Sequence, residues 1–282
     1  MKNPVKTGDT VDDGKPTIFT QMNSRLELAK DIAHEAGLLT LRYFYNLDNL
    51  PVDLKADESP VTAADRQAEE LLRRRIEEAF PDDTILGEEF PVKEGTGGVR
   101  WMLDPIDGTK SFIHGVPLYS MLIGIEQNGQ SVGGVIALPA LGEMVWAEKG
   151  GGAWHDAPRF TEPVRAKVSD CRNLAEALFL TSEVKTFEQS GRAEAYRALE
   201  RQTRLTRTWG DGYGYFLVAT GRAEIMVDPR LADWDAGPLL VVLEEAGGKF
   251  SDWNGNPTIL GKEGVGSNGF LHEGALRALK QL

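Results

Sequence analysis

Four short segments carry acidic side chains where the chain is expected to change direction. They are Thr62-Ala-Ala-Asp65, Gly87-Glu88-Glu89, Asp104-Pro-Ile-Asp107-Gly108-Thr109 and Trp234-Asp235. Each alone has an ordinary explanation. Thr62 followed three residues later by Asp65 reads as an acidic helix capping box, and Glu88-Glu89 reads as solvated loop charge. Asp107-Gly108 reads as a turn, and Asp235 as a complement to the start of a helix dipole. The Asp104 segment asks for more. Trp101-Met-Leu is an apolar strand that delivers Asp104 at its end, Pro105 keeps Asp104 out of a helix, and Gly108 lets the backbone turn tightly. Two aspartates three positions apart around such a corner can face one point, where they repel unless one is protonated or a cation lies between them. Such oxygens suit Mg²⁺, which keeps several waters and takes further oxygens from a phosphate. Lys110-Ser-Phe-Ile can open a short helix whose free N–H groups would receive that phosphate.

The elements that must hold these groups follow from hydrophobic spacing. Leu26, Ala29, Ile32, Ala33, Ala36, Leu39 and Phe44 predict a helix from Ser24, its N-cap, to about Tyr45. Ala64, Ala68, Leu71, Leu72 and Ile76 predict a second from about Thr62 to Phe80, ended by Pro81. Lys55 to Thr62 between them is a polar loop or short hairpin. Short strands are expected at Thr84–Gly87 and Arg100–Asp104, then a three-stranded meander at Tyr119–Glu126, Val132–Leu138 and Glu143–Glu148. In the second half, where strands and helices alternate, helices are expected near Arg192–Arg201, Asp211–Thr220, Trp234–Ala246 and Leu271–Leu282. This pattern indicates a layered α+β architecture rather than a bundle or barrel.

With its motifs in this order, the sequence resembles the inositol monophosphatase family. The matching residues are Gly87-Glu88-Glu89, Trp101-Met-Leu-Asp104-Pro-Ile-Asp107-Gly-Thr109, and Trp234-Asp235-Ala236 followed by Glu245-Ala-Gly-Gly248. The resemblance covers about Ser24 to the C-terminus, and it implies a layered α/β/α/β/α sandwich and Mg²⁺-dependent hydrolysis of phosphate monoesters. Carried over by position, it implies that Glu88, Asp104 and the carbonyl of Ile106 bind one metal, and that Asp104, Asp107 and Asp235 bind a second. Asp65 with Glu88 would place a third metal or its waters. Thr109 would help activate the attacking water, and the N–H groups of Gly108 and Thr109 would hold phosphate. Lys55 matches a basic residue near the site. The resemblance also implies a homodimer. His34, His114, His155 and His272 lie outside these motifs and are expected to be structural or exposed.

Substrate choice is expected in Arg207-Thr-Trp-Gly210-Asp211-Gly212-Tyr213-Gly-Tyr215. Family members that take inositol phosphates usually have a Gly-Thr-Ala-like stretch at Gly210 to Gly212 and a glutamate at Asp228. This chain instead resembles the branch that dephosphorylates histidinol phosphate, with its Gly-Asp-x-Tyr sequence. Asp211 and Asp228 could pair with a substrate ammonium or imidazolium, whereas the plainer reading has Asp211 capping its helix and Tyr213 packing. Inositol 1-phosphate or a related polyol phosphate is the second expectation. A nucleotide 3′-phosphate or fructose bisphosphate ranks lower.

Composition narrows the remaining classes. The 31 basic and 43 acidic side chains leave a net charge of −12, which disfavours nucleic acid or an anionic membrane as partner and argues against a nuclease. An anionic substrate then needs cations or a local pocket to approach. A non-catalytic metal-binding protein remains open, although it has no need for Thr109 and Asp65 beside the metals. Residues 1–22 have no apolar signal-peptide core and read as a leader to one catalytic domain over 23–282. The single Cys171, read as a small buried hydrophobe, cannot form an intramolecular disulfide and suits a reducing cytoplasm. No apolar run is long enough to cross a bilayer.

Overall fold

The computed structural model describes residues 18–47, 50–55 and 60–280. Helix α1 (Ile18–Phe44) leads into strands β1 (Val52–Leu54) and β2 (Pro60–Thr62), an antiparallel hairpin, and then α2 (Ala63–Ala79). Next come β3 (Thr84–Gly87), β4 (Val99–Asp107), α3 (Thr109–Ile113), β5 (Ser120–Gln127) and β6 (Gln130–Leu138). β7 (Glu143–Glu148), β8 (Gly152–Asp156) and β9 (Val164–Arg165) complete a seven-stranded sheet in simple sequence order from β3 to β9. The second half contributes β10 (Leu178–Leu180), α4 (Val184–Gln189), α5 (Ala193–Gln202), β11 (Leu205–Arg207), α6 (Gly212–Ala219) and β12 (Ile225–Asp228). It closes with α7 (Asp233–Ala236), α8 (Leu239–Glu245), β13 (Lys249–Ser251), β14 (Gly264–Ser267) and α9 (His272–Leu279). The second sheet has the order β11-β10-β12-β14-β13.

The strand period of two builds the layers. Trp101 and Leu103 of β4 point to one face, where Ile32 and Ala36 of α1 and Leu72 and Ile76 of α2 cover them. Met102 points to the other, against a middle layer in which Phe216 and Val218 of α6 and Leu239 and Val242 of α8 are buried. Met226 of β12 faces that same middle layer. Its neighbours Ile225 and Val227 face the outer layer, which holds Phe187 of α4, Leu199 of α5 and Leu276 of α9. The result is the expected α/β/α/β/α sandwich.

Four local expectations need correction. Helix α1 starts at Ile18, so Ser24 lies inside it rather than capping it; of the expected leader, residues 1–17 lie outside the described residues. β4 does not end at Asp104 but runs to Asp107, with its register against β5 shifting between the two. Pro105 has no N–H for the ladder, and a bulge accommodates it without ending the strand. The helix expected over Trp234–Ala246 is two, α7 and α8, because Pro238 cannot donate back into the preceding turn. The last helix stops at Leu279, and residues 281–282 lie outside the described residues. Among the described residues no helix is long and apolar enough to cross a membrane.

Candidate active site

The bulge in β4 aims Asp104 and Asp107 at one point, and α7 brings Asp235 to it. One carboxylate oxygen from each of the three lies within 4.8 Å of the other two. Asp104 is 3% exposed and Asp107 8%. Each uses one oxygen as an anchor. Asp104 Oδ1 accepts from the Ile106 amide at 3.0 Å, and Asp235 Oδ2 from the Ala232 amide at 2.9 Å. Asp107 Oδ2 accepts from both the Ser120 hydroxyl and the Gly212 amide.

Burial is what raises these carboxyls first, and mutual repulsion adds to it. Asp104 stands well above the ordinary carboxylate range because it is buried and because Glu88, Asp107 and Asp235 crowd it. Asp107 is pushed up by burial and then by Asp211 and Asp235. Asp235 is pushed up to about 7, by burial and then by Glu88. Buried oxygen donors with excess negative charge are what a hard divalent cation requires, so the residues present fit a metal.

The flanking groups are held just as locally. Thr62 caps α2 while Asp65 Oδ2 accepts from the Thr62 amide at 2.8 Å, closing the predicted capping box. The other oxygen, Oδ1, lies 3.4 Å from Thr109 Oγ1, which also donates to the Ile106 carbonyl at 3.0 Å. Gly108, left-handed at φ 84°, turns the chain from β4 into α3. A side chain there would come 2.9 Å from Asp211 Oδ2. Glu88 and Asp65 lie outside the tight three-aspartate group. Glu88 instead meets Lys55 Nζ at 2.6 Å, and Glu89 meets the same ammonium at 2.6 Å. Burial lowers the Lys55 pKa, but the two glutamates outweigh it and raise it overall.

Beside the aspartates opens a cavity of about 760 Å³ bordered by Asp107, Asp211, Tyr215, Asp228 and Asp235. Asp211 stands at the N-cap position of α6, yet its side chain makes no cap hydrogen bond. Its pKa is raised, chiefly by burial. Asp228 is 3% exposed and pushed up to about 7 by burial and by Asp211. It accepts from the Ser182 amide and the Tyr215 hydroxyl, each at 3.1 Å. Lys110 and Glu183, 2.7 Å apart, pair on the cavity's border.

Sequence reasoning missed Ser120, Ser182, Glu69 and the Lys110–Glu183 pair. The hydroxyls carry no local signal, because their partners lie far away in sequence. Glu69 did carry one, standing one helical turn beyond Asp65 on α2. The four histidines stay outside the site: His34 and His114 are exposed, His155 pairs with Glu143, and His272 sits between Ser251 and Ser267.

Comparison with known proteins agrees with this geometry. The profile of the inositol monophosphatase family matches residues 21–282. The histidinol-phosphatase of Chlorobaculum parvum is 43% identical over 244 residues, covering 86% of this chain and 92% of that one. The histidinol-phosphatase of Streptomyces coelicolor is 38% identical, covering 91% and 97%. The crystal structure of extragenic suppressor protein suhB from Bartonella henselae superposes with a TM-score of 0.84 at 29% identity, covering 92% of this chain and 99% of that one. The chain therefore belongs to the inositol monophosphatase family and is a phosphoric monoester hydrolase of that metal-dependent group.

Proposed function

We propose that this enzyme hydrolyses histidinol phosphate with Mg²⁺, two or three ions per site. The observation that carries the substrate is the pair of extra carboxylates, Asp211 and Asp228, on the cavity beside the metal-type cluster. A cation there relieves the burial and repulsion that hold both above their ordinary range. The substrate's ammonium or imidazolium meets that need, and a neutral polyol does not. The likeness to two histidinol-phosphatases supports the same reading.

Asp104, Asp107, Asp235, Glu88 and the Ile106 carbonyl would hold the ions, with Asp65 contributing to a third position. When bound, Mg²⁺ supplies positive charge to the phosphate oxygens and lowers the pKa of water in its shell. The chain does the positioning, which is most of what phosphoryl transfer asks of a protein. The Gly108 and Thr109 amides hold the phosphate, and Gly210, Asp211 and Gly212 border the leaving alcohol. Thr109 Oγ1 orients a water toward phosphorus, and Asp65 Oδ1 beside it receives the proton. The new P–O bond forms as the ester P–O bond breaks; the departing alkoxide takes a proton from solvent, and Asp65 returns to solvent the one it received. No protein nucleophile takes part.

We further assign one catalytic domain to 23–282, preceded by the first turn of α1 (Ile18–Phe44), a homodimeric state, and a cytoplasmic location suited to the lone Cys171. The test is phosphate release from histidinol phosphate and inositol 1-phosphate, side by side, with Mg²⁺ and with EDTA. Mg²⁺-dependent preference for histidinol phosphate supports the proposal. Preference for the inositol ester overturns the assigned role of Asp211 and Asp228 and leaves the metal chemistry standing.

A further inference from the structure

Glu69 is a fully buried carboxylate that the hydrolysis described above does not use. It lies one turn beyond Asp65 on α2, so both project toward the site from the same helix face. Its Oε2 accepts from the Glu89 amide at 2.7 Å, and its Oε1 accepts from Arg73 Nε at 2.7 Å. Arg73 in turn donates to the Phe90 carbonyl at 3.1 Å. The backbone of Gly87 lies directly over this carboxylate: a Cβ at Gly87 would fall 2.1 Å from Glu69 Oε1, and its three nearest neighbours would all be Glu69 atoms.

A charge with no exposure to water is costly unless paired and hydrogen-bonded; here the pairing comes from Arg73 on the same helix, and the remaining hydrogen bond goes to the turn after β3. We propose that Glu69, backed by Arg73, is a positioning residue that fixes the Gly87-Glu88-Glu89 turn so that Glu88 faces the Asp104–Asp107–Asp235 group. α2 thereby sets two sides of the site at once. Asp65 fixes the Thr109 side and Glu69 fixes the Glu88 side, one helical turn apart. The assignment rests on the proposed reading of Glu88 as a metal ligand.

The test is a double-mutant cycle read by Mn²⁺ affinity (electron paramagnetic resonance of free Mn²⁺), with the melting temperature measured in EDTA alongside. Glu69→Ala is expected to weaken Mn²⁺ binding at least tenfold. Glu69→Gln, which keeps an acceptor for the Glu89 amide, should stay within about threefold of the parent. Gly87→Ala should weaken binding as Glu69→Ala does, and adding it to Glu69→Ala should cost little more, because the clashing carboxylate is gone. A purely structural ion pair would lower the melting temperature and leave Mn²⁺ affinity unchanged, which overturns the proposal. Losses that multiply in the double variant overturn it as well. Should Glu69→Ala not fold, Gly87→Ala and Glu69→Gln decide alone: parental affinity in Gly87→Ala, or a full loss in Glu69→Gln, refutes the role. Glu88→Gln separates the two layers of the argument. Parental affinity in Glu88→Gln removes the reading of Glu88 itself, whereas a loss there beside an unaffected Glu69→Ala removes only the positioning role.

Discussion

The amide of Gly212 donates to the same oxygen of Asp107 that accepts from Ser120, joining segments 105 residues apart in sequence. This contact fastens the first turn of α6 to the end of β4, and so fastens the Asp211 side of the cavity to the three-aspartate group. A Cβ at Gly212 would lie 2.4 Å from Ser120 Oγ, 2.7 Å from Asp107 Oδ2 and 2.8 Å from Leu122 Cδ2. Gly212→Ala is therefore expected to cut kcat/KM by about two orders of magnitude while costing roughly 1–3 kcal/mol of stability, as overpacking does. Steady-state kinetics beside a urea melt check it; parental kcat/KM would mean that Asp107 need not be held so tightly.

Asp104→Asn should abolish Mg²⁺-dependent turnover and leave the chain folded. The metal-free variant should even melt above the parent at pH 8, because one of the facing charges is gone. Differential scanning calorimetry in EDTA reads the second effect independently of the first. Full activity in Asp104→Asn would remove the metal assignment.

The raised carboxyls set a sign for pH dependence. Asp235 and Asp228 rise from 3.8 to about 7 on folding without a cation. Their protonated forms favour the fold, so that stability is present below pH 3.8 and is lost as pH rises through about 7. In EDTA the melting temperature should fall between pH 5 and pH 8, and saturating Mg²⁺ should restore most at the alkaline end. A metal-free melting temperature that climbs over this range would contradict the burial argument.

Asp211→Ala and Asp228→Asn should damage use of histidinol phosphate about tenfold or more beyond any loss on p-nitrophenyl phosphate, which carries no cation. The comparison is a ratio of kcat/KM values, so small losses of active protein cancel. Equal losses on both esters would reduce these residues to scaffolding.

A control lies on the far face of the sheet. Asp83, 1% exposed, accepts from Arg25 Nε at 2.7 Å and Nη2 at 2.9 Å and from Trp101 Nε1 at 2.9 Å. Asp83→Ala removes a buried carboxylate that accepts from both Arg25 and Trp101 and should cost about 3 kcal/mol, with kcat near the parent's at a temperature where the variant stays folded. A large fall in kcat there would mean that the α1 layer couples to the site more closely than its contacts indicate.

The sequence by itself determined the elements and most of the acidic set. Periodicity marked α1 and α2, because a buried stripe must repeat with the period of its own backbone, and glycine turns marked the meander of β5 to β7. The local half of each acidic group was also legible. Asp65 does close a capping box with Thr62, and Asp235 does accept from the start of its helix; both plain readings describe the local contact of a carboxylate that also has a distant one, Asp65 with Thr109 and Asp235 with Asp104 and Asp107. Only tertiary structure decided that second half. The approach of Asp235 to Asp104 depends on α7 docking against β4 and β5, and Pro238 breaks the helix that the hydrophobic pattern alone would have continued. Ser120 and Ser182 were silent for the same reason. Hydrogen bonds between distant segments leave no period or spacing in the chain; they exist only once packing has brought donor and acceptor together.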